Sequence, residues 1–273
     1  LQSALAAAER IVPILNTGRA RQRKSRQRNR IKAIERIAFE NIDFSYEPGT
    51  QVLADISFRL EKGCSIGIVG ETGSGKSSII NMITGFYTPD NGDIFINEVQ
   101  HNSVNIRDIR DKTALVMQDP VLFSGTVRDN IRPPTGNVKD SALKTALDQA
   151  NCGFLFEKFN GLDTRIREGG KPLSSGEKQL ICIARAFSFD PDLIVFDEAT
   201  SYMDSQSEQK VHDAMNRLMK GRLSIIIAHR LSTVRACDTI VLLRDGSIRE
   251  RGTHTELAAR KGEYYHLLQK EKI

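Results

Sequence analysis

Apolar and polar positions change period along the chain, and each change marks an element. In residues 1–16, LQSALAAAERIVPILN, the apolar positions Leu1, Leu5, Ala8, Val12 and Leu15 recur at helical spacing, ended or kinked near Pro13. From about Ile34 the pattern becomes strand-like: IAFENIDFSY, then QVLADISFRLEKG with Lys62-Gly63 as a turn. SIGIVG (65–70) reads as a short buried strand that runs into a glycine-rich loop and a helix, KSSIINMITGF. GDIFINEV and TALVM (113–117) are further strands. Residues about 125–190 read as a mainly helical insert, with TVRDNI, DSALKTALDQAN, CGFLFEKF and KPLSSGEKQLICIARA. DLIVFDEAT (192–200) is a continuous apolar strand, as in a sheet covered on both faces. SEQKVHDAMNRLMKG is a helix and LSIIIAHR a strand. DTIVLLRDGSIRERG is strand–turn–strand about Asp245-Gly246, and HTELAARKGEYYHLLQKEKI is helical. No internal repeat is visible. Strands alternating with helices predict an α/β fold with a largely parallel core.

Composition adds the class. The chain has 273 residues, 40% of them hydrophobic and 27% charged, enough for one or two globular domains with a real core. No apolar run approaches the roughly 18 residues of a membrane span. The first residue is Leu1 rather than Met, as in a piece cut from a longer polypeptide or a trimmed terminus. The net charge is +5, but it is local: residues 19–32, RARQRKSRQRNRIK, hold eight Lys/Arg and no acid. A solvated linker or a juxtamembrane basic stretch facing the cytoplasm explains this segment. Nucleic-acid binding ranks third, because no aromatics are interleaved and Trp is absent. Cys64, Cys152, Cys182 and Cys237 form no CxxC pair, so unpaired thiols in a reducing cytosol are expected.

Chemistry enters with GETGSGKSS, Gly70 through Ser78, which fits G-x-x-x-x-G-K-[ST] after a strand and before a helix. Glycines 70, 73 and 75 let the backbone wrap a phosphate with Thr72, Ser74 and Ser78 in the same loop. Lys76 supplies a point charge for the β- and γ-phosphates, and the Ser77 hydroxyl is suited to Mg²⁺. Asp197 and Glu198 emerge at the carboxyl end of the DLIVF strand, the edge where open α/β sheets bind ligands. Asp197 would hold Mg²⁺ through water, and Glu198 would polarise an attacking water. A second helix start suited to an anion lies about a hundred residues later, at Ser174-Ser175-Gly176.

With these residues the chain resembles the nucleotide-binding domain of ATP-binding cassette (ABC) transporters over about residues 34–270. Leu173-Ser174-Ser175-Gly176-Glu177 resembles the family's LSGGQ signature. The resemblance implies a P-loop NTPase of ABC type: a mainly parallel core sheet, an antiparallel β subdomain and a helical subdomain at about 119–190. It divides the chain into 1–33, the tail of a last transmembrane helix with a basic linker, and 34–273, the nucleotide-binding domain. It implies that Tyr46 stacks on adenine, that Gln118 senses Mg²⁺ and faces the membrane domain, that His229 contacts the γ-phosphate and that Asp204 ends the D-loop. LFSGTVRDNI and AHRLSTV are similar to exporter-type cassettes. The implied partners are a covalently linked transmembrane domain and a second cassette. The Lys76 loop of one subunit and the Ser174–Gly176 turn of the other would grip the same ATP, at the cytoplasmic face of a membrane. Non-transport cassettes of the DNA-repair or translation kind, and a catalytically weak regulatory module, are the competing functions.

The chain departs from the family's pattern at two places. Ser175 and Glu177 stand where the family has Gly and Gln, and Ser201-Tyr202-Met203-Asp204 replaces the usual Ser-Ala-Leu-Asp. Ser174-x-x-Glu177 also reads as a capping box. An altered signature beside an intact Glu198 fits either the glutamate-bearing half of a heterodimer or a tolerated variation in a homodimer.

Overall fold

The computed structural model describes residues 29–133, 138–197, 203–228 and 230–271. The expected helix at 1–16 and most of the basic linker lie outside the described residues.

The chain opens with a long hairpin, β1 (Arg36–Glu47) and β2 (Thr50–Glu61), followed by β3 (Ser65–Val69) and helix α1 (Lys76–Ile83). Next come β4 (Asn91–Ile96), β5 (Val99–Gln100), α2 (Ile106–Asp111), β6 (Thr113–Val116), β7 (Gly125–Thr126), α3 (Val127–Ile131), α4 (Asp140–Gln149), α5 (Phe154–Glu157) and β8 (Arg165–Ile166). The second half holds α6 (Ser175–Phe189), β9 (Leu193–Asp197), α7 (Ser205–Met219), β10 (Leu223–Ala228), α8 (Leu231–Val234), β11 (Thr239–Arg244), β12 (Ser247–Gly252), α9 (His254–Arg260) and α10 (Glu263–Lys270).

Two main sheets form. A six-stranded sheet has the order β12-β11-β3-β10-β9-β6, parallel except for β12 at one edge. A four-stranded antiparallel sheet has the order β2-β1-β4-β5. The largely parallel core is what the strand–helix alternation predicts, and the antiparallel subdomain is what the family resemblance implies. The helical insert also carries a two-stranded ladder, β7-β8, which its helix-rich pattern hides.

The continuous apolar strands explain why the parallel sheet is central. Along β9, Leu193 and Val195 join one core while Ile194 and Phe196 join the other. Ile225 and Ile227 of β10 alternate with Ile226 and Ala228 in the same way. Period-2 side-chain alternation thus builds two cores, one on each face. The first packs the sheet against the antiparallel sheet and α1, the second against α6 and α7. Burial pushes the Cys152 and Cys182 thiols up and the Cys237 thiol up to about 12, so these cysteines pack as small apolar groups.

Two predicted runs break where an αL residue intervenes. GDIFINEV splits into β4 and β5 at Asn97 (φ 56°), and the C-terminal helical stretch splits into α9 and α10 at Lys261 (φ 54°). Periodicity alone does not reveal such single-residue reversals.

Candidate functional site

Strand β3 delivers the loop 70–75 to the carboxyl edge of the parallel sheet, and α1 starts at Lys76. The loop is tight because Gly75 is αL (φ 101°), where a Cβ would sit 2.4 Å from Leu53 Cδ2 and 3.2 Å from the Val52 carbonyl oxygen. No side chain caps α1, so its N-terminus presents backbone N–H groups and the positive end of the helix dipole. Lys76 is only 6% exposed, and its Nζ donates to the Gly70 and Glu71 carbonyls, each at 2.8 Å. Ser74 Oγ is buried with no hydrogen-bond partner among the described residues.

A cleft of about 340 Å³ lies over this loop, lined by Tyr46, Val52, Thr72, Gly73, Gly75, Lys76, Ser77 and Ser78. Tyr46 comes from the end of β1, its ring edge-on to Phe44 (4.8 Å) and Tyr87 (4.9 Å). Its hydroxyl is 2.9 Å from Ser78 Oγ, which ties the aromatic wall to α1. The phosphate-loop pattern singles out the residues of 72–78, the family resemblance adds Tyr46, and Val52 is an apolar position of a hairpin strand with no chemical signal of its own. A buried cation, an uncapped helix start, an orphan hydroxyl and a half-exposed ring fit a nucleoside polyphosphate.

Asp197 ends β9, in register with Ile227 of β10, at the same edge of the sheet. Gln118 is exposed and follows β6, which pairs with β9. Glu198 and His229 lie outside the described residues.

The signature turn stands apart from this cleft, at the start of α6. Ser174 Oγ accepts from the Glu177 N–H (3.3 Å) while Glu177 Oε2 accepts from the Ser174 N–H (2.9 Å), a complete capping box. Lys158 Nζ lies 3.9 Å from the other Glu177 oxygen. The carboxylate is thus turned back onto its own helix. Ser175 is exposed. Gly176 is different: a Cβ there would lie 2.7 Å from Ser207 Cβ, so glycine permits the close approach of α6 to α7. Asp204 caps α7 by accepting from the Ser207 N–H at 2.9 Å. Hydrogen bonds from the Ser207 side chain and backbone hold its carboxyl below the ordinary range.

One set of residues carried no signal when the sequence was read for chemistry. Gln179, Arg185 and Asn130 tie segment 117–130 to α6. Polar residues recurring within an otherwise apolar helix were the available clue.

The sequence profile of the family described as "ABC transporter" matches residues 53–201. A "Probable multidrug resistance ABC transporter ATP-binding/permease protein YheH" of Bacillus subtilis is 40% identical over 242 residues, covering 88% of this chain and 36% of that protein. A "Fatty acid ABC transporter ATP-binding/permease protein" of Mycobacterium tuberculosis is 39% identical over 272 residues, covering 98% of this chain and 42% of that protein. Among solved structures, a bacterial Atm1-family ABC exporter with ATP bound superimposes with a TM-score of 0.82 at 32% identity, covering 90% of this chain and 45% of that one. The chain therefore spans less than half the length of each. Among the described residues no helix is long and apolar enough to cross a membrane.

Proposed function

Because the chain belongs to the ABC transporter family, we propose that it is the ATP-binding and ATP-hydrolysing domain that powers export of a substrate across a membrane. The cleft between Tyr46 and the 70–78 loop is the observation that carries this reading. The Lys76 ammonium would exchange the Gly70 and Glu71 carbonyls for β- and γ-phosphate oxygens, and the start of α1 would add backbone N–H donors. The Tyr46 ring would stack on adenine. Ser77, Gln118 and Asp197 would hold Mg²⁺, which supplies charge neutralisation between the phosphates. Glu198 would take the proton of the attacking water as its oxygen bonds to the γ-phosphorus and the ADP oxygen leaves, and His229 would steady the γ-phosphate.

The Ser174–Gly176 turn and Asp204 would face the nucleotide of a second cassette, which explains two anion-suited helix starts in one chain. The relatives are ATP-binding/permease proteins. We therefore assign the remaining partner as a covalently linked transmembrane domain, with this domain at the cytoplasmic face. Nucleic acid has no part in this reading.

The test is the mass of Glu198→Gln in solution, with and without Mg-ATP. A shift to a dimer holding two ATP is expected. A monomer that binds ATP would direct the search to a different cassette as partner, and failure to bind ATP would overturn the proposal.

A further inference from the structure

Helix α8 begins at Leu231, just after His229, without a cap from its own sequence. Its N-cap position is Arg230, whose side chain makes no capping hydrogen bond. The Leu231 N–H is the first of the helix and has no carbonyl partner inside it. Leu231 is only 2% exposed, so water reaches that N–H poorly. The acceptor comes from 40 residues along the chain: the Leu231 N–H donates to Glu271 Oε1 at 2.7 Å. A bond from a backbone N–H to a carboxylate is charge-assisted and stronger than a neutral one. Arg230 Nη1 lies 3.2 Å from Glu208 Oε1 of α7, but the arginine is well exposed and such a pair contributes little.

Glu271 is itself held in place, as the C-cap residue of α10. Tyr264, Leu267 and Leu268 precede it at helical spacing, on one face of α10. Tyr264 is fully buried and shares a core with Leu231, against which Leu267 and Leu268 pack. Tyr264 Oη lies 2.8 Å from His254 Nδ1, and the Glu263 and Tyr264 N–H groups donate to the Glu250 carboxylate of β12. Helix α10 is therefore a strut from the edge of the parallel sheet to the start of α8. On the other side of His229, Ala228 is paired in the sheet with Val69 of β3, the strand that leads into the 70–78 loop.

We infer that Glu271 is a positioning residue for His229, acting through the Leu231 N–H. The sheet fixes the chain up to Ala228, and Glu271 fixes it again from Leu231. Without Glu271, the far side of His229 rests on a helix of 4 residues with an uncapped start. A helix that short gains little from its own hydrogen bonds and depends on such outside contacts. The end of α10, far in sequence from the 70–78 loop, thereby sets the rate of turnover and leaves nucleotide affinity alone. The inference rests on the proposed function, in which His229 steadies the γ-phosphate.

Steady-state ATP hydrolysis by the full chain tests it. Glu271→Ala is expected to lower kcat about 10- to 100-fold, the effect of a small misplacement near the reacting atoms, with KM within about twofold of wild type. Glu271→Gln, whose amide oxygen still accepts from the Leu231 N–H, should keep kcat within about threefold of wild type. Glu271 is exposed and lies at a helix end, so both variants should fold, with melting midpoints within a few degrees of wild type. A wild-type kcat in Glu271→Ala, a loss carried by KM alone, or an equal loss of kcat in Glu271→Gln overturns the inference and leaves the proposed function standing. A wild type that hydrolyses no ATP overturns the proposed function, and this inference with it.

Discussion

The Lys76 ammonium is held 2.8 Å from both the Gly70 and the Glu71 carbonyl oxygen, so in the proposed function phosphate oxygens would compete with these acceptors. A charge-assisted contact of this kind is worth about 1.5–3 kcal/mol. Lys76→Met, which keeps the buried stem, should therefore weaken ATP binding about 10- to 100-fold with little change in folding, as measured by calorimetric titration. Tyr46→Ala removes a stacking surface worth about 1–3 kcal/mol. Its affinity for ATP should fall while that for inorganic triphosphate, which has no base, stays close to wild type. Tyr46→Phe should retain most of the ATP affinity, since only the hydroxyl's bonds to Ser78 and Asn81 are lost.

At the level of elements, helix starts hold the candidate site in place. The capping box on α6 gives Ser174 and Glu177 a structural role, which for Ser174 stands beside the nucleotide contact of the proposed function. Ser174→Ala should cost about 1 kcal/mol and lower the melting midpoint by a few degrees. Glu177→Gln preserves the box, because Gln serves at N3 as Glu does, so its midpoint should match the wild type. Gly176→Ala should cost about 1–3 kcal/mol, because the new Cβ would meet Ser207. Acid sensitivity belongs to this scale too. The Thr126 hydroxyl and backbone N–H hold Asp129 below the usual carboxylate range, Ser207 does so for Asp204, and the Thr253 backbone and hydroxyl for Glu256. A carboxylate with a depressed folded pKa stabilises above its unfolded pKa of about 4 and loses that stabilisation as pH falls through the folded value. Melting midpoints should thus hold from pH 7 to about 5 and fall below about 4. Asp129→Asn with Asp204→Asn should flatten that acid limb.

For the whole molecule, the parallel sheet is a shared wall between two cores, and the nucleotide cleft lies at its carboxyl edge, where β3, β9 and β10 end together. A ligand there touches the loop after β3 and, through Tyr46 and Val52, the antiparallel sheet. Binding should therefore stabilise the domain as a unit. At a hundred times its Kd, ATP should add about 2.7 kcal/mol, raising the melting midpoint in proportion to the logarithm of its concentration. In Lys76→Met the same curve should shift to higher ATP concentration without changing slope, as read by differential scanning calorimetry.

What the amino-acid sequence determined is what short spans of chain can encode. The 70–78 loop, the capping box at Ser174–Glu177, the Asp245-Gly246 turn and the two-sided burial of LIVF at 193–196 all follow from glycine freedom, capping chemistry and side-chain period. Element order followed for the same reason, and with it the α/β class. The tertiary structure decided which distant segments meet. It put Tyr46 beside Ser78, Leu53 against Gly75, Ser207 against Gly176, and β3 between β10 and β11. It also fastened segment 117–131 to α6. Periodicity shows that a face must be buried but not against what. That choice depends on fitting whole faces together and on pairing polar groups far apart in sequence, such as Gln179 with the Met117 carbonyl and Arg185 with the Asn130 carbonyl, 62 and 55 residues away.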